Sequence, residues 1–221
     1  MFALIPLCLI LAAVFLKTEG SGKFGLSLVW KGAASACFVA LGFLCSSGTP
    51  MCRAIIAGLI LGCVADILLN LRWVIPRYAQ PTFLLGILVF LGGHILYLVA
   101  VLPLCRYRLL CAGASLVLTA LLMTWLFKQI TAKKVFKIFG VVYIEAVVLL
   151  NCVALCNLFT SPQPFTALFF VGALLFLVSD IILILNTFGE QARKSMRFAN
   201  IGLYYIGQLF IALCLLFSAG I

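Results

Sequence analysis

The stretch TFLLGILVFLGGHILYLVAVLP, residues 82–103, runs for 22 residues without an Asp, Glu, Lys or Arg. Apolar runs of this kind recur along the whole chain, and that recurrence constrains the fold more than any other feature. A helix rises about 1.5 Å per residue and the hydrocarbon core of a bilayer is about 30 Å thick, so about 20 apolar residues make one crossing. The chain therefore reads as an all-α, polytopic membrane bundle. A membrane barrel would need apolar and polar residues in alternation, and the runs do not alternate. With 66% hydrophobic and 9% charged residues in 221, no stretch is left over for a separate soluble domain.

Eight spans are predicted, near 2–16, 25–44, 53–71, 82–103, 109–127, 138–159, 165–186 and 199–219, forming a single domain over 1–221. The first is the shortest. The breaks carry Gly, Pro, Ser and charge, as in SSGTP at 46–50 and SPQP at 161–164. The apolar N-terminus has no basic leader and no clear cleavage site, so it reads as a first helix and not as a removed signal.

The net charge of +10 raises nucleic acid as a partner, but the positions exclude it. Lys and Arg sit almost entirely in the short gaps, where they set topology and meet lipid headgroups. The gaps after spans one, three, five and seven hold eleven of them, Lys17, Lys23, Arg72, Arg77, Lys128, Lys133, Lys134, Lys137, Arg193, Lys194 and Arg197. The other side holds three, Arg53, Arg106 and Arg108. The four basic gaps are expected to face the cytoplasm, with both termini on the other side. Short loops and the lack of tails lean towards a bacterial cell membrane. Most of the ten cysteines lie inside apolar runs, no CxxC occurs and His94 is the only histidine. No metal or cofactor is expected on that basis.

Against this background the charges inside the spans stand out. Asp66, Asp180, Lys31 and Glu145 each cost about 2.5 kcal/mol or more to insert. Asp66 and Asp180 both lie five or six residues from the basic end of their span, about 8–9 Å deep. Lys31 and Glu145 enter from the same side to a similar level, where Glu145 has the sign to neutralise Lys31. Asn70 is one turn from Asp66, and Asn186 follows Asp180. His94 and Tyr97 share one helix face, as do Tyr204 and Gln208, with Tyr205 alongside.

A shift of 114 residues carries Gly58 to Gly172, Asp66 to Asp180, Lys31 to Glu145 and His94 to Gln208. Coincidence within a shared apolar background would produce the same matches. A duplicated four-helix unit would too, and its halves, 1–107 and 108–221, would be parallel because four crossings restore the direction. Structural glue explains buried Asn, Gln and Tyr, at about 0.6 kcal/mol each, but explains two buried Asp poorly. Burial disfavours the charged form of a carboxyl, and two carboxyls in one site hold a proton between them. Such a pair can act as general acid and general base. No GxSxG context is present for a serine nucleophile. The chemistry left is acid–base hydrolysis, or proton coupling, on something that enters from lipid.

The segments GLILGCVADILL, GGHILYLVA, GALLFLVSDIILILNTF and LYYIGQLFI, in this order, resemble the YhhN family of integral membrane proteins, which includes the lysoplasmalogenases. The resemblance spans nearly the whole chain, and GALLFxxSD with the downstream YYxxQ is its most specific part. It implies eight helices and hydrolysis of the vinyl ether bond of a lysophospholipid. It implies that Asp66 and Asp180 are the family's two aspartates, that His94 and Tyr97 are its HxxY-like segment, and that Tyr204, Tyr205 and Gln208 are its YYxxQ. Lys31 matches a Lys early in the second helix. Three positions depart from the pattern: Ala65 stands where Gly is usual, KGAA lacks the Pro that commonly follows the Lys, and Asn186 stands where an Asp is frequent. On this reading Asp66 and Asp180 are catalytic, while Lys31, Asn70, His94, Tyr97, Glu145, Asn186, Tyr204, Tyr205 and Gln208 bind or position substrate, with Lys31 on the phosphate. Two alternatives remain open: a transporter or flippase with a carboxylate pair, and a non-catalytic subunit. Oligomeric state is not legible.

Overall fold

The computed structural model describes residues 1–190 and 192–219. These residues form eight α-helices: α1 (Leu4–Gly20), α2 (Phe24–Cys45), α3 (Pro50–Val74), α4 (Ala79–Val101), α5 (Arg108–Gln129), α6 (Lys134–Thr160), α7 (Pro164–Phe188) and α8 (Lys194–Cys214). Short 3₁₀ turns at Pro76–Tyr78, Leu102–Leu104 and Leu215–Phe217 extend the helix ends. Proline starts α3 and α7 at positions where its missing N–H costs nothing. Thr49 caps α3 by accepting from the Cys52 N–H at 3.3 Å. The α1–α2 turn needs the positive φ of 73° that Gly22 supplies.

Seven of the helices, α2 to α8, are long and apolar enough to cross a membrane. The eighth, α1, has 17 residues, about 25 Å of rise against a core of about 30 Å. It buries Cys8, Ala12 and Phe15, spaced four and three apart on one stripe, and lays that stripe on α2 and α8. Helix α8 is the most enclosed, with contacts to α1, α2, α3 and α7. It buries Tyr204, Tyr205 and Gln208.

The helices outrun the predicted spans mainly at the basic ends. Arg72 lies inside α3, Lys128 inside α5, Lys134 and Lys137 inside α6, and Lys194 and Arg197 inside α8. A hydropathy reading stops at the first cation. The backbone does not, because long aliphatic stems let Lys and Arg stay helical while their heads reach polar surroundings. Asp66 and Asp180 are each eight residues from the end of their helix, about 12 Å deep instead of 8–9 Å.

Four packing pairs have a counterpart under a shift of four helices, while α1 on α8 and α3 on α8 have none of similar extent. α1 packs on α2 and α5 on α6; α2 on α3 and α6 on α7; α3 on α4 and α7 on α8; α2 on α8 and α6 on α4. The close crossings also correspond. Gly58 of α3 meets Gly93 of α4, where a Cβ on Gly93 would stand 3.1 Å from the Gly58 carbonyl oxygen. Gly172 of α7 meets Gly207 of α8, where a Cβ on Gly172 would stand 2.7 Å from the Gly207 oxygen. Gly93 and Gly207 are themselves 114 residues apart. Small residues of this kind let helix backbones touch inside a membrane.

Candidate active site

Asp66 is 2% exposed and surrounded by donors. Lys31 Nζ of α2 lies 3.0 Å from its Oδ1. Its Oδ2 accepts from Ser35 Oγ and Tyr204 Oη, both at 2.6 Å. Ser35 stands one turn after Lys31, so a single helix face delivers both the cation and a hydroxyl. Tyr205 donates to the Lys31 carbonyl at 3.2 Å and lies 3.2 Å from Ser35 Oγ. Lys31 Nζ also reaches Asn70 Oδ1 at 3.5 Å. One ammonium and two hydroxyls thus converge on this carboxyl.

Asp180 is built differently. It is buried, at 6% exposure, and its Oδ2 accepts from Tyr143 Oη of α6 at 2.6 Å. Among the described residues no cation pairs with it and its Oδ1 has no protein partner. Tyr143 Oη is also 3.3 Å from His94 Nε2, and His94 Nδ1 is buried without a partner among the described residues. Between the two carboxyls runs a line of aromatic rings. Tyr204 meets Phe176 at 5.3 Å between centroids, Phe176 meets His94 at 4.4 Å, and His94 meets Tyr143 at 5.7 Å. Edge-to-face stacks of this sort fix ring orientation, and here they hold the two phenols that bond the carboxyls.

Both carboxyls line one pocket with about 1120 Å³ of empty space, its mouth included. Its two sides differ. From α2, α3 and α8 come Lys31, Asp66, Asn70, Arg72, Arg197 and Tyr204. From α4 to α7 come Phe83, Phe127, Phe136 and Phe188 along with Lys137, Tyr143 and Asp180. Three of those rings pack together, with Phe136 5.7 Å from both Phe83 and Phe188. The α5–α6 turn is tied to the end of α7 by Thr131 N–H donating to the Phe188 carbonyl at 2.8 Å. A pocket that mixes charged side chains with aromatic rings suits an amphiphile with a polar head and one chain.

Of the residues singled out in the sequence, Asp66, Asp180, Lys31, Asn70 and Tyr204 line this pocket. Four stand behind it. His94 backs Tyr143, Tyr205 backs Lys31 and Ser35, and Tyr97 donates to Gln208 Oε1 at 2.9 Å. Two lie elsewhere. Asn186 accepts from the Arg193 backbone N–H at 2.7 Å. Glu145 accepts from Ser115 Oγ of α5 at 2.7 Å, and the pairing expected between Lys31 and Glu145 is not made. Equal depth did not imply equal direction: Glu145 turns towards α5, while Lys31 turns towards α3. Lys31 is paired with Asp66 instead.

Sequence reasoning missed Tyr143, Arg72, Lys137 and Arg197 in the pocket and Ser35 on the Asp66 carboxyl. The i+4 spacing from Lys31 could have flagged Ser35. It also missed a group at the far end of the bundle, where the sulfurs of Cys105, Cys111 and Cys156 lie within 4.8 Å of one another. Without a CxxC, only the fold brings these three together.

Seven helices long and apolar enough to cross a membrane, with two buried carboxyls lining one pocket, define a polytopic membrane protein. The YhhN family model matches residues 26–215, and the chain belongs to that family. No curated protein and no solved structure matches it.

Proposed function

We propose that this protein is a membrane-embedded hydrolase that cleaves the vinyl ether bond of lysoplasmalogens. The products are a fatty aldehyde and glycerophosphoethanolamine or glycerophosphocholine. One observation carries the reading: Asp66 and Asp180 line the same amphipathic pocket, the first with a cation and two hydroxyl donors, the second with one phenol and no cation.

The asymmetry assigns the roles. Asp180 is the acid: it gives its proton to the β-carbon of the vinyl ether and becomes a carboxylate. The oxocarbenium ion so formed lies beside Asp66, whose negative charge stabilises it. Asp66 then takes a proton from the water that attacks the α-carbon, giving a hemiacetal. On collapse, the hemiacetal hydroxyl returns a proton to Asp180 and the departing glycerol oxygen takes one from Asp66. The aldehyde is free and both carboxyls are back in their starting states. Tyr143, Tyr204 and Ser35 hold the carboxyls in place, and His94 orients Tyr143.

The test is aldehyde release by purified protein from an alkenyl lysophospholipid. Asp66→Asn and Asp180→Asn should each lower kcat by about 10²- to 10⁴-fold. Wild-type release by either variant would end the scheme. The matched helix pairs and glycine crossings support a duplicated four-helix unit in parallel orientation, an arrangement that carriers also use. A carrier would move labelled lipid across a vesicle wall and release no aldehyde. The basic helix ends are assigned to the cytoplasmic face.

A further inference from the structure

We infer that Arg72, supported by Lys137, is the subsite for the phosphodiester of a single-chain phospholipid in this pocket; this rests on the hydrolase reading only for the position of the bond being cut. Four cations line the cavity: Lys31, Arg72, Lys137 and Arg197. Two are already spent. Lys31 is committed to Asp66 at 3.0 Å. Arg197 makes a two-pronged pair with Glu19, Nε to Oε2 at 2.9 Å and Nη2 to Oε1 at 2.7 Å.

Arg72 is different. Among the described residues it makes no ion pair and no hydrogen bond, and its Nε is buried without a partner. Its guanidinium carbon sits 4.5 Å from the Phe83 ring centroid and 4.9 Å from that of Trp73. The two aromatic faces hold the planar group in place while leaving its donors free. Lys137 rests against Phe127, 5.3 Å from the ring centroid, and is likewise unpaired among the described residues. A half-buried guanidinium with no anion bonded to it among the described residues, in a pocket that has room for one, marks a place for an anion from outside. A fork of parallel N–H donors suits two phosphate oxygens.

The spacing agrees. Arg72 follows Asp66 by six residues on α3, a rise of about 9 Å. In a glycerophospholipid five bonds separate phosphorus from the ether oxygen on the first glycerol carbon, about 6 Å when extended. With phosphate on Arg72, the ether oxygen falls near the level of Asp66.

Binding of an uncleavable 1-O-alkyl lysophosphatidylethanolamine in nanodiscs, compared with the phosphate-free 1-O-alkylglycerol, tests this without any need for turnover. Wild type should bind the phospholipid more tightly, and Arg72→Gln should cut that preference by about 10- to 100-fold. Arg72→Lys, which keeps charge but not the fork, should fall between them, and Lys137→Gln should lower the preference by a smaller factor. With the alkenyl phospholipid, Arg72→Gln should raise KM and leave kcat within about threefold. Equal weakening of both ligands would mean a structural role only, and an unchanged preference in both Arg72→Gln and Lys137→Gln would overturn the subsite. If alkyl phospholipid binds in an Arg72-dependent way while the wild type releases no aldehyde, the subsite stands and the hydrolase reading falls.

Discussion

At the level of single residues, the two aspartates were visible because a charge inside an apolar run has few explanations. Their surroundings were not visible. Tyr143 and Ser35 belong to residue types that occur at any depth in a membrane helix, so only their distances of 2.6 Å to Asp180 and Asp66 reveal them. Arg72 and Arg197 were read as topology signals because each borders a gap, yet both lie inside helices and line the pocket. The Lys31–Asp66 pair makes a direct prediction. Lys31→Met leaves a buried carboxylate without its cation and should destabilise the fold by about 3–5 kcal/mol, read as thermal unfolding in detergent. Adding Asp66→Asn to Lys31→Met should recover most of that loss, a coupling that a double-mutant cycle measures. On the other carboxyl, Tyr143→Phe removes the one phenol that bonds Asp180 and should lower kcat about tenfold while leaving KM near wild type.

Among the helices, identity and order were legible from the apolar runs and their punctuation, and the ends were not, since cations with long stems hide where a helix stops. Azimuth was the other missing quantity. Depth along a helix follows from counting residues, but the direction of Glu145 depends on how α6 packs on α5. The glycine crossings set that packing for α3 with α4 and for α7 with α8. Gly172→Ala would place a methyl 2.7 Å from the Gly207 carbonyl oxygen, backbone that has no rotamer to move. It should cost about 1–3 kcal/mol, whereas Gly113→Ala on α5, with nothing within 4 Å, should cost nothing. Equal thermal stability of the two variants would show that the α7–α8 contact is not tight.

For the molecule as a whole, the class was set by composition and run length, while the shared pocket could only come from the three-dimensional arrangement. Orientation is open to a simple measurement. Lys133→Cys, before α6, and Ser161→Cys, between α6 and α7, stand on opposite faces of the bundle and are exposed positions. A membrane-impermeant maleimide should reach the first only from the cytoplasm and the second only from the other side; the reverse pattern would invert the assigned topology.

The burial of Lys31 also bears on how the protein is made. An ammonium offered alone to the hydrocarbon is penalised by about 3 kcal/mol, and its carboxylate leaves the ribosome 35 residues later. Insertion of the second and third helices together, as a hairpin that pairs the two charges, would lower that penalty. Removing the carboxylate would then first appear as a defect in biogenesis, seen by protease protection of the nascent chain, before any purified protein could be assayed.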